Sequence, residues 1–301
     1  MKIRTLSLIL LLALLLCSCG GEGLTPPTEV AETEETPAVS LETKTEPKTE
    51  EVETEPATKE IPTALRLTEE EKAARNAKLT EALKGKQISF IGDSISTYEG
   101  YSNNVAYNPT IGENAVYYKG NNKGFTDANE TWWMQTVHAT GMELCVNNSW
   151  SGDRVTKRGI QRAKQLHNAA GVKPDVIVVY LGINDFRNAV TEGEFKTAYD
   201  QMIGGMKEAY PEADVYLCTL VYTSNVSNPS VRPKNVEKFN AVISELAAKH
   251  GATVVDLYNG TGITWKTVKD HMADGTLHPN YKGMDMITEC VLAALAENYL
   301  K

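Results

Sequence analysis

A serine, an asparagine and a histidine stand where their side chains suit nucleophilic catalysis. Ser94 lies in Gly-Asp-Ser-Ile, directly after the apolar run 87–91, and this run predicts a strand that delivers the serine onto a loop. A serine hydroxyl acts as a nucleophile when a base takes its proton and hydrogen-bond donors stabilise the oxyanion that forms. Asn184, in Gly-Ile-Asn-Asp after a second apolar run, offers an amide donor, and His278, in His-Pro-Asn, offers a base.

These motifs, in this order, make the chain resemble the SGNH hydrolase family, the GDSL-like esterases. The resemblance extends over most of residues 85–300, and it implies that Ser94 is the nucleophile and His278 the general base. It also implies an oxyanion hole formed by the backbone N–H groups of Ser94 and Gly152 and the side-chain amide of Asn184. Removing one donor from such a hole typically costs about 2.7–4 kcal/mol of activation free energy. The implied activity is the hydrolysis of acyl esters.

The carboxylate that should orient His278 departs from the family pattern. The family has an aspartate three residues before the histidine, where this chain has Gly275, and Asp274 stands four residues before. Asp274 is the predicted partner, and Asp270 or a backbone carbonyl are the alternatives. An acidic partner selects the imidazole tautomer and stabilises the imidazolium. His271 competes with His278 as the base, but only His278 lies in the family motif.

Aromatic and amide side chains are concentrated after the serine. The segment 96–129 is rich in Tyr, Asn and Gly, and long ordered loops of this kind are often functional. Aromatic faces and amides suit sugar rings, and the family resemblance of a surface-anchored protein implies removal of acetyl groups from a polysaccharide. The predicted substrate is therefore an O-acetylated carbohydrate. The candidates for substrate contact are Asp93, Tyr98, Trp132, Trp133 and Trp150. As an alternative, Trp132 and Trp133 begin a helix and pack in the core.

Two other functions stay open at this stage. The first is the same chemistry on lipids or small acyl esters. The second is a non-catalytic carbohydrate-binding protein that has kept the fold. The shifted aspartate favours this second alternative slightly, while the intact Ser94, Gly152, Asn184 and His278 argue against it.

The amino-terminal residues predict where the protein is located. Lys2 and Arg4 precede an apolar run at 6–17, which is too short to span a bilayer and fits the core of a signal peptide. Leu-Cys-Ser-Cys-Gly at 16–20 resembles a bacterial lipobox, which implies that a signal peptide of residues 1–18 is removed and that Cys19 is lipidated. We therefore expect an extracytoplasmic protein anchored to a bacterial cell membrane. An ordinary secretory signal is the alternative.

Residues 19–67 are predicted to be a disordered, acidic tether. Residues 20–60 contain 12 Glu and 3 Lys, and their net charge of −9 equals that of the whole chain. The stretch has no aromatic residue and no apolar periodicity, so it cannot bury enough surface to fold. The remaining chain is almost neutral, which argues against a nucleic-acid surface.

Residues 68–301 are predicted to form one α/β domain. Near-continuous apolar runs such as 175–181 indicate strands buried on both faces, and their alternation with helices predicts a three-layer α/β/α sandwich with a five-stranded, mainly parallel, flavodoxin-like sheet. Thr68 and Glu71 predict a capping box at the first helix. The predicted strands are 87–92, 142–147, 175–181, 213–221 and 252–257, and the helices that follow the first are 130–140, 156–170, 192–210, 232–250 and 280–300.

The cysteines and the motif content predict neither a metal nor a cofactor. Cys145, Cys218 and Cys290 cannot all pair with one another, and they are interpreted as small buried apolar residues. The sequence contains no CxxC and no HExxH. The expected partners are the ester substrate and, through Cys19, the membrane, and the domain is expected to be a monomer.

Overall fold

The computed structural model of the protein describes Glu60, Pro62 and residues 65–101, 116–120, 123–224 and 234–301, except for the side chains of residues 234 and 235. The predicted signal peptide, Cys19 and nearly all of the predicted tether lie outside these residues. Leu65, inside the predicted tether, packs against the core. Within the described ranges, no helix combines the length and the apolar character needed to cross a membrane.

Five parallel strands form a single sheet in the described part of the chain. Every neighbouring pair is parallel, which confirms the prediction of a parallel sheet. The spatial order places the first strand inside the sheet, between the second and the third. In that order the strands are β2 (Glu143–Asn147), β1 (Gln87–Gly92), β3 (Val176–Tyr180), β4 (Asp214–Cys218) and β5 (Thr253–Val255).

The central strands are buried on both faces. All five residues of β3 are buried, as the apolar run predicts for a strand with helices on either side. Ser89 is the polar side chain among the buried residues of β1, and its hydroxyl donates to the carbonyl of Leu166 over 2.7 Å. A buried hydroxyl needs such a partner, so this bond makes the serine acceptable inside the sheet.

Two groups of helices cover the two faces of this sheet. In the first group α1 (Glu69–Leu83), α2 (Trp132–Thr140) and α9 (Tyr281–Tyr299) pack on one another, and in the second α5 (Glu192–Ala209) packs on α6 (Lys234–His250). The architecture is therefore the predicted three-layer sandwich. Shorter helices lie at strand ends and in loops, namely α3 (Ile160–Arg162), α4 (Ile183–Arg187), α7 (Leu257–Gly260) and α8 (Val268–His271).

The helix α1 begins as the capping box predicts. The backbone N–H of Glu71 donates to the Thr68 hydroxyl over 3.3 Å, and the backbone N–H of Thr68 donates to the Glu71 carboxylate over 2.7 Å. The three cysteines in the described residues are all free and buried, as expected.

The predicted helix 156–170 is wrong over its second half, beyond Arg162. The chain forms a π-helical turn at Val155–Gly159, continues into the short α3, and then leaves the helical path. Beyond α3 the backbone bonds to side chains, because Leu166 N–H donates to the Tyr210 hydroxyl over 2.6 Å and Ala170 N–H donates to Asn168 Oδ1 over 3.0 Å. Such side-chain bonds compete with the helical ladder.

A tight loop precedes α9 and is packed against its first turn. Met272 and Pro279 form an antiparallel bridge, and Ala273 N–H donates to the carbonyl of His278 over 2.7 Å. Gly283, in the first turn of α9, has no room for a side chain. A Cβ atom there would lie 2.5 Å from the carbonyl oxygen of His271 and 2.9 Å from Pro279 Cβ.

We therefore expect Gly283→Ala to lower the free energy of unfolding by about 1–3 kcal/mol, because the added methyl group must displace backbone. Urea unfolding measures this change. The matched control is Gly193→Ala in α5, where a Cβ atom meets nothing within 4 Å. Equal effects of the two substitutions would contradict the described packing of α9 on the loop.

Candidate active site

Three neighbouring strands end next to the groups singled out in the sequence. Ser94 follows β1, Gly152 follows β2 and Asn184 follows β3. The strands are parallel and adjacent, with β1 in the middle, so their carboxyl ends share one edge of the sheet. In α/β sheets of this kind, ligands bind outside that edge. The fold therefore brings together three segments that are far apart in the sequence.

Ser94 begins a short 3₁₀ turn directly after β1. The turn spans Ser94–Ser96, and the Asp93 carboxylate caps it by accepting the N–H of Ile95 over 3.0 Å. Gly92 is required before it, since a Cβ atom there would lie 2.5 Å from Ser96 Oγ. Only 3% of Ser94 is exposed. The serine is thus fixed by its own loop and is almost fully buried.

His278 reaches Ser94 from the loop before α9. Its Nε2 atom lies 2.9 Å from Ser94 Oγ, and its Nδ1 atom lies 2.7 Å from Asp274 Oδ2. Both distances are within the range for proton transfer or a strong hydrogen bond. The competing His271 is engaged elsewhere, since its Nδ1 atom lies 2.8 Å from the carbonyl oxygen of Thr267.

The additional residue between Asp274 and His278 is accommodated by a turn. Gly275 adopts a positive φ of 72°, a conformation that suits glycine. Asp274 Oδ1 accepts backbone N–H groups from Thr276 at 2.9 Å and Leu277 at 2.8 Å, which leaves Oδ2 for the imidazole. The four-residue spacing therefore still places a carboxylate on Nδ1.

Asp270, the alternative acid, does not lie at Nδ1 of His278. Asp270 is exposed on α8, and its backbone carbonyl accepts the side-chain N–H of Asn280 over 2.9 Å. Within the described residues, the carboxylate found bonded to the His278 ring is that of Asp274.

Electrostatics keep the base neutral and the acid ionised. Burial lowers the pKa of His278 below its ordinary value; Asp274 opposes this effect, and the positive charges of Arg187 and Lys123 add to it. Burial raises the pKa of Asp274, but hydrogen bonds from Leu277 N–H, the imidazole and other backbone groups outweigh burial and hold this pKa well below its usual range. At neutral pH the imidazole can therefore accept a proton.

The predicted oxyanion donors come from the loops on either side of Ser94. Gly152 has a φ of 71°, and the space where a Cβ atom would lie is open. Asn184 is buried, and its Nδ2 atom donates one hydrogen to the carbonyl of Asp153 over 3.0 Å. An amide nitrogen carries two hydrogens, so the second remains for a bound group. The Asn188 side chain fixes the backbone of this residue, because its Nδ2 atom donates to the main-chain carbonyl oxygen of Asn184 over 2.7 Å.

A buried arginine connects the serine loop with the glycine loop. Arg162 Nη2 donates to the carbonyl of Gly92 over 3.1 Å, and Nη1 donates to the carbonyl of Asn148. Its Nε atom lies 2.7 Å from Asp153 Oδ2. Sequence reasoning missed this residue because it lies in a segment predicted to be a regular helix, where an arginine is expected to face solvent.

All five predicted substrate contacts are buried, with exposures of 6% or less; they are Asp93, Tyr98, Trp132, Trp133 and Trp150. Trp132 and Trp133 pack around Phe90, with ring centroids 5.3 and 6.1 Å away, so the core alternative is correct for this pair. Trp150 lies under the guanidinium of Arg158 at 4.6 Å. Contact of Asp93, Tyr98 and Trp150 with substrate stays a prediction, since Ser94 itself is as deeply buried as they are.

A different aromatic ring lies at the base. Tyr117 stacks on His278 with ring centroids 3.5 Å apart and an interplanar angle of 10°. Nothing in the sequence distinguishes it from the other tyrosines of the segment 96–129. Among the described residues, no group of three or more His, Cys, Asp or Glu is arranged to hold a metal ion.

Comparison with known sequences decides the family. Residues 90–286 match the sequence model of the GDSL-like lipase/acylhydrolase family. The chain belongs to this family. The resemblance drawn from the motifs is therefore confirmed, and this GDSL-family protein is a carboxylic ester hydrolase. A search of the curated proteins finds no significant match.

Solved structures share the fold of this GDSL-family protein at low sequence identity. A protein from Bacteroides uniformis assigned as a GDSL-like lipase is 23% identical, covers 71% of this chain and 96% of its own, and has a TM-score of 0.50. A similarly assigned protein from Parabacteroides merdae is 17% identical, with coverages of 72% and 98% and a TM-score of 0.53. A carbohydrate esterase family 3 structure from Talaromyces cellulolyticus is 15% identical, with coverages of 70% and 97% and a TM-score of 0.51.

Replacing the buried arginine should reduce stability strongly. We expect Arg162→Met to lower the free energy of unfolding by about 3–5 kcal/mol, because the buried Asp153 carboxylate loses one of its two cations and keeps only Arg158, while the carbonyls of Gly92 and Asn148 lose their donor. Urea unfolding is the measurement, and Lys164→Met is the control, since Lys164 pairs with Glu208 on the exposed surface. A loss no larger than that of the control would show that the guanidinium does not hold the two loops together.

Proposed function

We propose that this protein is a serine esterase in which Ser94 attacks the ester carbonyl. The observation that carries the proposal is the continuous hydrogen-bonded chain from Ser94 Oγ through His278 to Asp274, with lengths of 2.9 and 2.7 Å. A nucleophile bonded to a base, and that base bonded to an orienting carboxylate, is the arrangement of a catalytic triad.

Each group has a defined step in the proposed reaction. Ser94 Oγ bonds to the acyl carbon while its proton passes to His278 Nε2, and Asp274 stabilises the resulting imidazolium. The carbonyl oxygen becomes an oxyanion, which accepts hydrogen bonds from the N–H groups of Ser94 and Gly152 and from Asn184 Nδ2. The intermediate then expels the alcohol, whose oxygen takes the proton from His278.

The second half of the reaction regenerates the serine. Water attacks the acyl carbon of the acyl-enzyme, and His278 accepts a proton from it. The bond between the acyl carbon and Ser94 Oγ breaks, His278 returns the proton to this oxygen, and the carboxylic acid leaves. The depressed pKa of His278 suits this cycle, because the imidazole is neutral each time it must act as a base.

The proposed substrate is an O-acetyl ester on a carbohydrate. Access to the nucleophile is narrow, since 3% of Ser94 and 13% of the His278 side chain are exposed, and this favours a small acyl group. Tyr281, three residues after His278, is 55% exposed, and Tyr101 is 48% exposed. These exposed rings offer faces on which a sugar can stack. The similarity to a carbohydrate esterase family 3 structure lies in the fold and is compatible with this substrate.

The proposal includes a location outside the cytoplasm. The lipobox-like Leu-Cys-Ser-Cys-Gly supports lipidation of Cys19, and the acidic composition that follows supports a tether. A monomeric esterase held in this way could act on acylated glycans close to the membrane that anchors it.

Removal of the nucleophile is the first test. We expect Ser94→Ala to abolish acetate release from p-nitrophenyl acetate and from acetylated xylan, while Ser244→Ala, in which the lost hydroxyl bonds only within α6, stays active. Purified full-length protein in detergent is assayed, with p-nitrophenyl octanoate as a third substrate. Equal rates of acetate release by wild type and Ser94→Ala would refute the serine mechanism. Faster hydrolysis of p-nitrophenyl octanoate than of p-nitrophenyl acetate would refute the acetyl-ester assignment.

The pH profile tests the assignment of base and acid. Because the pKa of His278 is lowered, the acid limb of kcat/KM should lie below pH 6.5, the ordinary value for histidine. Asp274→Asn removes the charge that raises this pKa, so the limb should move to still lower pH while kcat falls by about 10²–10⁴.

The matched control for this profile is Asp270→Asn, which should leave both the limb and kcat unchanged. If Asp270→Asn caused the loss and Asp274→Asn did not, the assignment of the orienting carboxylate would be reversed.

A further inference from the structure

We propose that Tyr117 is a positioning residue for the catalytic base, holding the imidazole of His278 by its ring face and fixing it relative to Ser94. The inference rests on the proposed function, because it concerns the same serine and histidine. It adds a residue that no sequence motif marks.

The ring contact is close and nearly parallel. The centroids of Tyr117 and His278 are 3.5 Å apart and the planes differ by 10°, so one full face of the imidazole is covered. Tyr118 contributes an edge contact to the same imidazole, with centroids 6.4 Å apart at 81°. The phenol of Tyr118 also donates to the carbonyl of Pro279 over 2.8 Å, which ties the tyrosine pair to the loop that carries the base.

The backbone of Tyr117 is connected to the nucleophile by a separate path. Its N–H donates to Thr97 Oγ1 over 2.9 Å, and the same hydroxyl donates to the carbonyl of Ser94 over 2.9 Å. Thr97 is fully buried. Tyr117 therefore contacts the base through its side chain and the serine loop through its main chain. It spans the two segments that must stay in register for proton transfer.

The stack supplies a restraint that the in-plane hydrogen bonds cannot. Asp274 and Ser94 hold the two ring nitrogens, but the bond to Ser94 Oγ is lost when this oxygen is acylated. The contact with Tyr117 acts on the ring face and persists through that stage. In the deacylation step His278 must accept a proton from water. An imidazole that has kept its rotamer can do so at once, without first reorienting.

The hydroxyl of Tyr117 is not a proton donor or acceptor for the reaction. Burial, followed by the nearby Asp274 carboxylate, raises its pKa to about 12, so the phenol stays protonated over the working range. The groups that face His278 are Ser94, Asp274, the Tyr117 and Tyr118 rings and, at longer range, the cations Arg187 and Lys123. Among them, Tyr117 excludes water from a ring face.

Three variants separate the ring face from the hydroxyl. Tyr117→Leu removes the aromatic face, and Tyr117→Phe keeps the face and removes the hydroxyl. The control, Tyr299→Leu, removes a ring at the opposite edge of the sheet, where the Tyr299 hydroxyl donates to Asp214 at the start of β4. With p-nitrophenyl acetate, we expect Tyr117→Leu to lower kcat about tenfold or more with KM changed less than about twofold. Tyr117→Phe and Tyr299→Leu should stay within about twofold of wild type.

The pH readout distinguishes positioning from a loss of folding. Since burial is the main cause of the lowered pKa of His278, Tyr117→Leu should move the acid limb of kcat/KM upward, toward the ordinary value. NMR titration of the His278 ring should show the same upward shift, together with loss of the ring-current shift from the stacked tyrosine. The titration needs no turnover, so it tests the inference even if the serine mechanism fails with Ser94→Ala.

Two results would overturn the proposal. The first is a Tyr117→Leu protein with wild-type kcat and an unchanged His278 titration. The second is a Tyr117→Phe protein that loses as much activity as Tyr117→Leu, which would assign the effect to the hydroxyl.

Discussion

The buried guanidinium of Arg162 is the contact on which the geometry of the site depends. It joins the carbonyl at the end of β1 to the carbonyl that follows β2, and its charge is balanced by Asp153. The two loops that leave these strands carry the proposed nucleophile and one oxyanion donor. A charged group is costly to bury, and it is retained here with a carboxylate and two carbonyls around it. The loops are therefore held to one another and not only to the sheet.

The base belongs to a different part of the fold. His278 lies on the loop before α9, and the close approach of Gly283 to the carbonyl of His271 fixes that loop against the helix. The serine loop and the histidine loop meet at the Ser94–His278 bond and through the tyrosine pair with Thr97. The site is thus assembled from two separately supported halves, whose relative position depends on a few direct contacts.

The sequence predicted the parts of this structure that depend on local pattern. Apolar runs predict the five strands found in the described part of the chain, and the predicted ends of β1 are the observed ones. Strand-end motifs predicted the positions of Ser94, Gly152 and Asn184, and the histidine was chosen over His271 by motif.

Predictions from sequence pattern failed where contacts between distant segments determine the local structure. The stretch after α3 has a helical composition, but the backbone N–H groups of Leu166 and Ala170 donate to the side chains of Tyr210 and Asn168. Trp132 and Trp133, near the site, are buried in the core around Phe90. No periodicity could show that Tyr117 covers the imidazole, because this contact joins segments more than 150 residues apart.

The turn at Gly275 has a consequence for how members of this family are recognised. The carboxylate of Asp274 is placed by the amides of its own loop, so its position in space does not depend on a fixed count of residues before the histidine. A search that requires the aspartate three positions upstream would class this chain as lacking its acid. Asp-Gly-Thr-Leu-His delivers the same carboxylate to the same nitrogen with one residue more. Family members with glycine at the usual aspartate position should be inspected one residue further upstream before they are classed as inactive.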